Sequence, residues 1–155
     1  MNGAWGSPVC IEPADWYMAG QASVATDDAG YFTASWVVDN SGGSMFIHTA
    51  TMPAGGAWGV PTNLGACQPN GGSLCLTPPV GVAHDGSIAV VGWTAYGGST
   101  NVAVRLGSGQ WATMAIGGAP KIANILATNN ARASAVWSAS NGVKYHVAIK
   151  QSDYQ

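Results

Sequence analysis

The sequence predicts an all-β domain assembled from repeated antiparallel sheet units, and three observations predict it. The first is a spacing. Trp5, Trp58 and Trp111 stand 53 residues apart (58 − 5 and 111 − 58). The first two lie in near-identical phrases, Asn2-Gly3-Ala4-Trp5-Gly6-Ser7-Pro8 and Gly55-Gly56-Ala57-Trp58-Gly59-Val60-Pro61, and Gly109-Gln110-Trp111-Ala112 is a weaker echo. A fixed period of this length marks a repeated small sheet module. The second observation is the alternation of short apolar runs with Gly, Pro, Asn and Asp clusters, the pattern of strands and turns. The third is that no segment carries a helical period. The Ala-rich run Ala131–Val136 has helical propensity, but flanking turns and the repeat register place it on a strand.

The elements follow in order. Trp5 to Ile11 reads as a short strand ended at Glu12-Pro13, where proline denies a ladder donor. Residues 13–21 read as irregular, because Trp16, Tyr17 and Met18 cannot all face one side of a strand. Ala22 to Thr26 is a strand, Asp27-Asp28-Ala29-Gly30 a turn, and Tyr31 to Val38 an apolar, aromatic strand. Ser44 to Met52 returns, and Pro53-Ala54-Gly55-Gly56 turns into the Trp58 strand. A second pass has Thr77 to Ala83, the turn His84-Asp85-Gly86, Ser87 to Thr94, Thr100 to Leu106 and the Trp111 strand. A third has Pro120 to Ala127, Ala131 to Trp137 and Val143 to Lys150, the last two joined through Asn141-Gly142, a strong hairpin signal. Trp36, Trp93 and Trp137 hold equivalent places. Units two and three carry one more residue between turn and Trp than unit one, which predicts a bulge or slipped turn in one of them.

This order predicts one domain, 1–155, with units 13–63, 64–116 and 117–155. Each unit has four strands, the chain opens on a fourth strand and closes after a third, and strand 5–11 completes the last unit. The architecture this suggests is β-propeller-type: three four-stranded blades per chain, with two chains exchanging strands into a six-bladed homodimeric ring that hides both edges. Consecutive blades of a longer propeller, or a closed prism of sheets, compete with it.

The pattern Trp-x-x-Pro, Val-Ala-x-Asp-x-x-Gly and Ala-x-x-Trp resembles the blade repeats of bacterial and phage-associated propeller proteins of the sialidase-like (BNR) group. It is carried by Trp58-Gly59-Val60-Pro61, Val24-Ala25-Thr26-Asp27-Asp28-Ala29-Gly30 and Ala34-Ser35-Trp36, with Val82-Ala83-His84-Asp85-Gly86 and Trp93 in the second unit. Thr51 to Trp58 lines up with the group's aspartate-box hairpin, with Pro53 where the box has Asp. The chemistry the resemblance implies requires an arginine triad, a Tyr nucleophile with a Glu, and an acidic donor. Here there are two arginines, Arg105 and Arg132, and one Glu, Glu12.

Composition narrows the partners. Charged residues are 8% of the chain and the formal net charge is −2, against roughly a quarter charged in ordinary domains. Five basic residues do not make a phosphate-neutralising surface, so no nucleic-acid partner is expected. No apolar run reaches membrane-spanning length. Cys67 and Cys75 bracket a Gly/Pro/Asn-rich loop and are either a local disulfide or two free thiols. Oxidation would favour an extracellular or virion-surface location. Cys10 reads as a small buried hydrophobe, the strand histidines His48 and His146 as backbone-satisfied and His84 as opening a turn, so neither metal nor cofactor is expected.

The acids Asp27, Asp28, Asp39, Asp85 and Asp153, mostly in turns, and the lack of a nucleophile elbow point away from an enzyme. Binding fits better. Sugar recognition needs an aromatic platform beside amides, hydroxyls or charges. Trp16, Tyr17, Glu12 and Asp15 form one candidate patch; Tyr96, Asn101 and Arg105 form another. Trp5, Trp36, Trp58, Trp93, Trp111 and Trp137 read as core between units. The expected function is non-catalytic, lectin-like carbohydrate binding with multivalent sites. The alternative is a structural or decoration subunit of a phage particle or surface assembly, binding a surface protein.

Overall fold

The computed structural model describes residues 7–13, 17–40, 43–67, 75–95, 98–116, 121–128, 132–138 and 144–150. Eleven strands occur among them. The first sheet runs β1 (Tyr17–Thr26), β2 (Phe32–Asp39), β3 (Met45–Met52) and β4 (Thr62–Ala66). The second runs β5 (Val80–Val82), β6 (Ile88–Thr94), β7 (Thr100–Leu106) and β8 (Trp111–Ala115). The third contains β9 (Lys121–Thr128), β10 (Arg132–Ser138) and β11 (Lys144–Lys150). Each sheet is an antiparallel meander in which every strand pairs with its neighbour in sequence.

Local chemistry places the turns. Asp27 Oδ1 accepts the amide of Tyr31 at 2.9 Å, an Asx-type closure, and Gly30 takes φ 82°. The equivalent turn of the second sheet repeats the device: Asp85 Oδ1 accepts the Ser87 amide at 3.0 Å, with Gly86 at φ 69°. Glycine occupies both positive-φ positions because a Cβ there meets the neighbouring carbonyl. Strand β1 begins earlier than the sequence suggests, at Tyr17, by accommodating an irregularity between Met18 and Ala22. The β9–β10 pairing shifts register between Val136 and Trp137, in one of the two units where the extra residue predicted a bulge.

The second sheet is the centre of a stack. Strand β6 is buried from Ile88 to Trp93, because its two faces serve two interfaces. Ile88 and Val90, with Val102 and Val104, meet Ile125 and Ala127 of the third sheet. Val91 and Trp93, with Ala103, meet Val37, Ile47 and Leu64 of the first. Trp93 Nε1 donates to the Ala66 carbonyl at 3.3 Å. On the far face of the first sheet Ala34, Trp36, Val38 and Ala50 are covered by Ile11, Phe46 and Trp58. Trp36 and Trp93 are therefore core residues, and Trp58 and Trp111 are half-buried against core. Trp5 lies outside the described residues, as does the side chain of Trp137.

The propeller expectation is corrected. The fold is all-β, but neither four-stranded sheet closes into a barrel or curls into a propeller blade; each is open, with two edge strands. Residues 7–11, the described part of the expected Trp5–Ile11 strand, pair with no strand. The segment meets the first sheet instead through Ile11, which packs beside Trp36 and Val38. Pro8 and Pro13 lack ladder donors, and burying Ile11 and Glu12 fixes the segment there rather than beside the third sheet. The six-bladed homodimer by strand exchange required that strand, and falls with it.

Cys67 and Cys75 form a disulfide across eight residues, with a Cα–Cα distance of 6.0 Å, a bond typical of oxidising compartments. Cys10 is exposed rather than buried, since its segment lies on the surface of the stack. No helix among the described residues is long and apolar enough to cross a membrane.

Candidate binding cleft

Strand alternation decides which side chains can meet between the first two sheets. On β2 the odd positions share the face of Val37, and on β3 those of Ile47; both face the second sheet. Thr33 and Thr51 are on those faces, and they oppose one another in register. On β7 Arg105 shares the face of Ala103, which looks back at the first sheet. At this end of the stack the β1–β2 and β5–β6 turns also meet. The Asp28 amide donates to the His84 carbonyl at 2.8 Å, and His84 Nδ1 lies 2.9 Å from Asp28 Oδ1.

The result is an open cleft of about 540 Å³, lined by Asp27, Tyr31, Thr33, Thr51, Asp85, Arg105 and Ser108 among others. Its size falls in the range of small-ligand sites, roughly 300–1,000 Å³. The Asp27 carboxylate rests against Gly86: a Cβ at residue 86 would stand 2.8 Å from Asp27 Oδ2. Glycine at residue 86 thus leaves room for that carboxylate at the cleft wall.

Arg105 is held by its surroundings. Its guanidinium carbon lies 5.4 Å from the centre of the Trp111 ring, the residue it opposes across the β7–β8 ladder, a cation–π contact. Burial pushes its pKa below the usual arginine value, opposed by the negative charge of Asp27; arginine nonetheless stays protonated. Its Nε is buried and has no acceptor among the described residues. His84, exposed at the turn, has its pKa raised, first by the hydrogen bond to Asp28 and then by the charge of that carboxylate.

Of the residues grouped by sequence, the structure describes the side chains of Glu12, Asn101 and Arg105. Glu12 sits on the far face of the first sheet, away from the cleft. Its Oε1 accepts from Trp36 Nε1 at 2.5 Å and contacts His48 Nδ1 at 2.9 Å. This carboxylate fastens the N-terminal segment to the sheet. Asp15 and Trp16 lie outside the described residues, and of Tyr17 only its place at the start of β1, opposite Asp39, is described. In the second patch Tyr96 lies outside the described residues. Asn101 and Arg105 share a face of β7, but four residues of strand hold them about 13 Å apart, and Arg105 alone lines the cleft.

Sequence reasoning missed Asp27, Tyr31, Thr33, Thr51, Asp85 and Ser108. Two of them were assigned to turns and nothing more. The available signal was the repeat itself: the Asp27 and Asp85 turns occupy equivalent positions, so stacking neighbouring units brings them together. Among the described residues, no group of three or more His, Cys, Asp and Glu side chains is placed to hold a metal ion. No family model matches the sequence, and no curated protein matches it.

Proposed function

We propose that this chain is a non-catalytic binding protein whose cleft between the first and second sheets recognises carbohydrate. The observation that carries the reading is the lining of that cleft. An exposed Tyr31 stands beside Thr51, Ser108, Asp27, Asp85 and Arg105, with the buried Thr33 beneath them. A pyranose has an apolar face for the ring and hydroxyls that both donate and accept. The carboxylates already carry a structural duty, each accepting a backbone amide of its own turn, so they serve as acceptors on a rigid rim. Individual sugar contacts are weak, and natural glycans gain strength by engaging several sites at once.

Glycan-array binding, followed by calorimetry with the leading saccharide, tests this. Saturable binding that free sugar competes away, weakened at least about tenfold by Tyr31→Ala, is expected. Binding unaffected by that substitution, or no saccharide binding, overturns the assignment.

A second reading, a structural or decoration subunit docking on a surface protein, is favoured by a different observation. Val9 is 74% exposed and Val60 88%, and each lies two residues from a side chain, Ile11 or Trp58, packed on the far face of the first sheet. Apolar side chains at such a site suit a protein contact. Assembly lost in Val9→Ser/Val60→Ser, with sugar binding intact, would favour that role.

A further inference from the structure

The geometry points to an uncharged saccharide unit as the cleft's ligand, gripped through a vicinal diol shared between Arg105 and the carboxylates of Asp27 and Asp85. The inference rests on the carbohydrate reading above and narrows it to one chemical class.

The first argument is charge. The lining includes two acids, Asp27 and Asp85, and one base, Arg105, so its formal charge is −1 (+1 − 2). His84 and Asp28, at the adjoining turns, are paired with each other. A sugar carboxylate, sulfate or phosphate would gain one guanidinium and face two carboxylates. Arg105 is also not an isolated cation awaiting an anion: Asp27 acts on it electrostatically, and Trp111 backs its guanidinium.

The second argument is hydrogen-bond valence. A guanidinium only donates, a carboxylate only accepts, and a hydroxyl does both. An anionic ligand group supplies acceptors alone; it satisfies Arg105, offers neither acid a donor beyond its turn amide, and sets its own charge against both. A ligand ammonium reverses the problem, satisfying the acids and opposing Arg105. Adjacent hydroxyls resolve both sides, each donating to a carboxylate while accepting from the guanidinium. The hydroxyls of Thr51 and Ser108, both in the lining, adapt to either role. Arg105 is anchored by the Trp111 ring, and Asp27 and Asp85 by their turn amides. The polar groups therefore stand in place before a ligand arrives, which lowers the ordering cost of binding.

The test uses the full chain and a matched pair of probes, methyl glucoside and methyl glucuronide, which share a ring and differ by a carboxylate. Methyl galactoside, methyl mannoside and N-acetylneuraminate complete the panel, with binding followed by NMR titration of backbone amides and the Arg105 Nε–H signal. At least one neutral glycoside should bind about tenfold more tightly than either acidic sugar, with shifts at Arg105, Asp27 and Asp85. Asp85→Asn should narrow the gap between glucoside and glucuronide. Arg105→Lys keeps the charge but loses the planar fork, and should weaken neutral sugars about tenfold while amide spectra report an intact fold. Tighter binding of glucuronide or N-acetylneuraminate, in the cleft, overturns the inference and leaves the carbohydrate reading standing. Binding of no saccharide overturns both.

Discussion

Replacing Gly81 by alanine probes the seam between the second and third sheets, the least sequence-evident feature of the stack. Gly81 on β5 faces the third sheet. A Cβ built there would lie 2.9 Å from Ile125 Cγ2, 3.2 Å from the Ala127 nitrogen and 3.2 Å from the Ile125 oxygen. Two of those three atoms are backbone and cannot swing aside, so the sheets must part by several tenths of an ångström. Overpacking of this kind costs about 1–3 kcal/mol, which for a chain of this length lowers the melting temperature by about 2–4 °C per kcal/mol. Ile125, 5% exposed, supplies the nearest atom, so the single change Ile125→Ala should cost about 2–5 kcal/mol. In the double variant the added methyl group occupies space vacated by the isoleucine. Urea denaturation of the four proteins should therefore show the double variant at least about 0.5 kcal/mol more stable than the sum of the single effects predicts. Strict additivity, or a Gly81→Ala protein as stable as the parent, would refute the face-to-face placement of β5 on β9.

Glu12→Ala should cost about 1–3 kcal/mol, because Trp36 Nε1 loses its buried acceptor. A red shift in tryptophan emission at unchanged sheet content would show the N-terminal segment leaving the first sheet, and unchanged stability and emission would rule out the clasp. Replacing both Cys67 and Cys75 by serine opens an eight-residue link, worth about 2.5 kcal/mol in the chain-entropy account; an unchanged denaturation midpoint would contradict it. His84 should titrate above its ordinary value of 6.5, and Asp28→Asn should lower that midpoint in an NMR titration. Because the folded-state pKa is the higher one, the pair's stabilisation is fully present below the unfolded-state pKa. It is lost as pH rises through the folded-state value. A midpoint unmoved by Asp28→Asn would refute the pairing.

Most strands were legible because their determinants are local. Thr100 to Leu106 was expected and found with those bounds, and Tyr31 to Val38 became Phe32–Asp39. Turn residues and alternating side chains act within a few positions and leave a direct trace in sequence. The Trp58 phrase is different: its strand begins at Thr62, because Trp58 packs on the far face of the first sheet instead of entering a ladder. The cleft was legible in one residue, Arg105, reached as part of a patch whose Asn101 lies at the other end of β7.

By itself, the sequence determined that the chain is all-β, where most of its strands and turns lie, and that Trp36 and Trp93 are core. Each of these follows from side-chain period, turn chemistry or apolar bulk. Tertiary structure alone decided that the sheets remain open, that Ile11 packs on the first sheet, that Glu12 is a fastening, and that two distant aspartate turns share a cleft. An extended segment has much the same backbone angles whether it joins a ladder or lies across a sheet. Its fate depends on which apolar face and which buried donors it meets, and those are assembled only when distant strands pack.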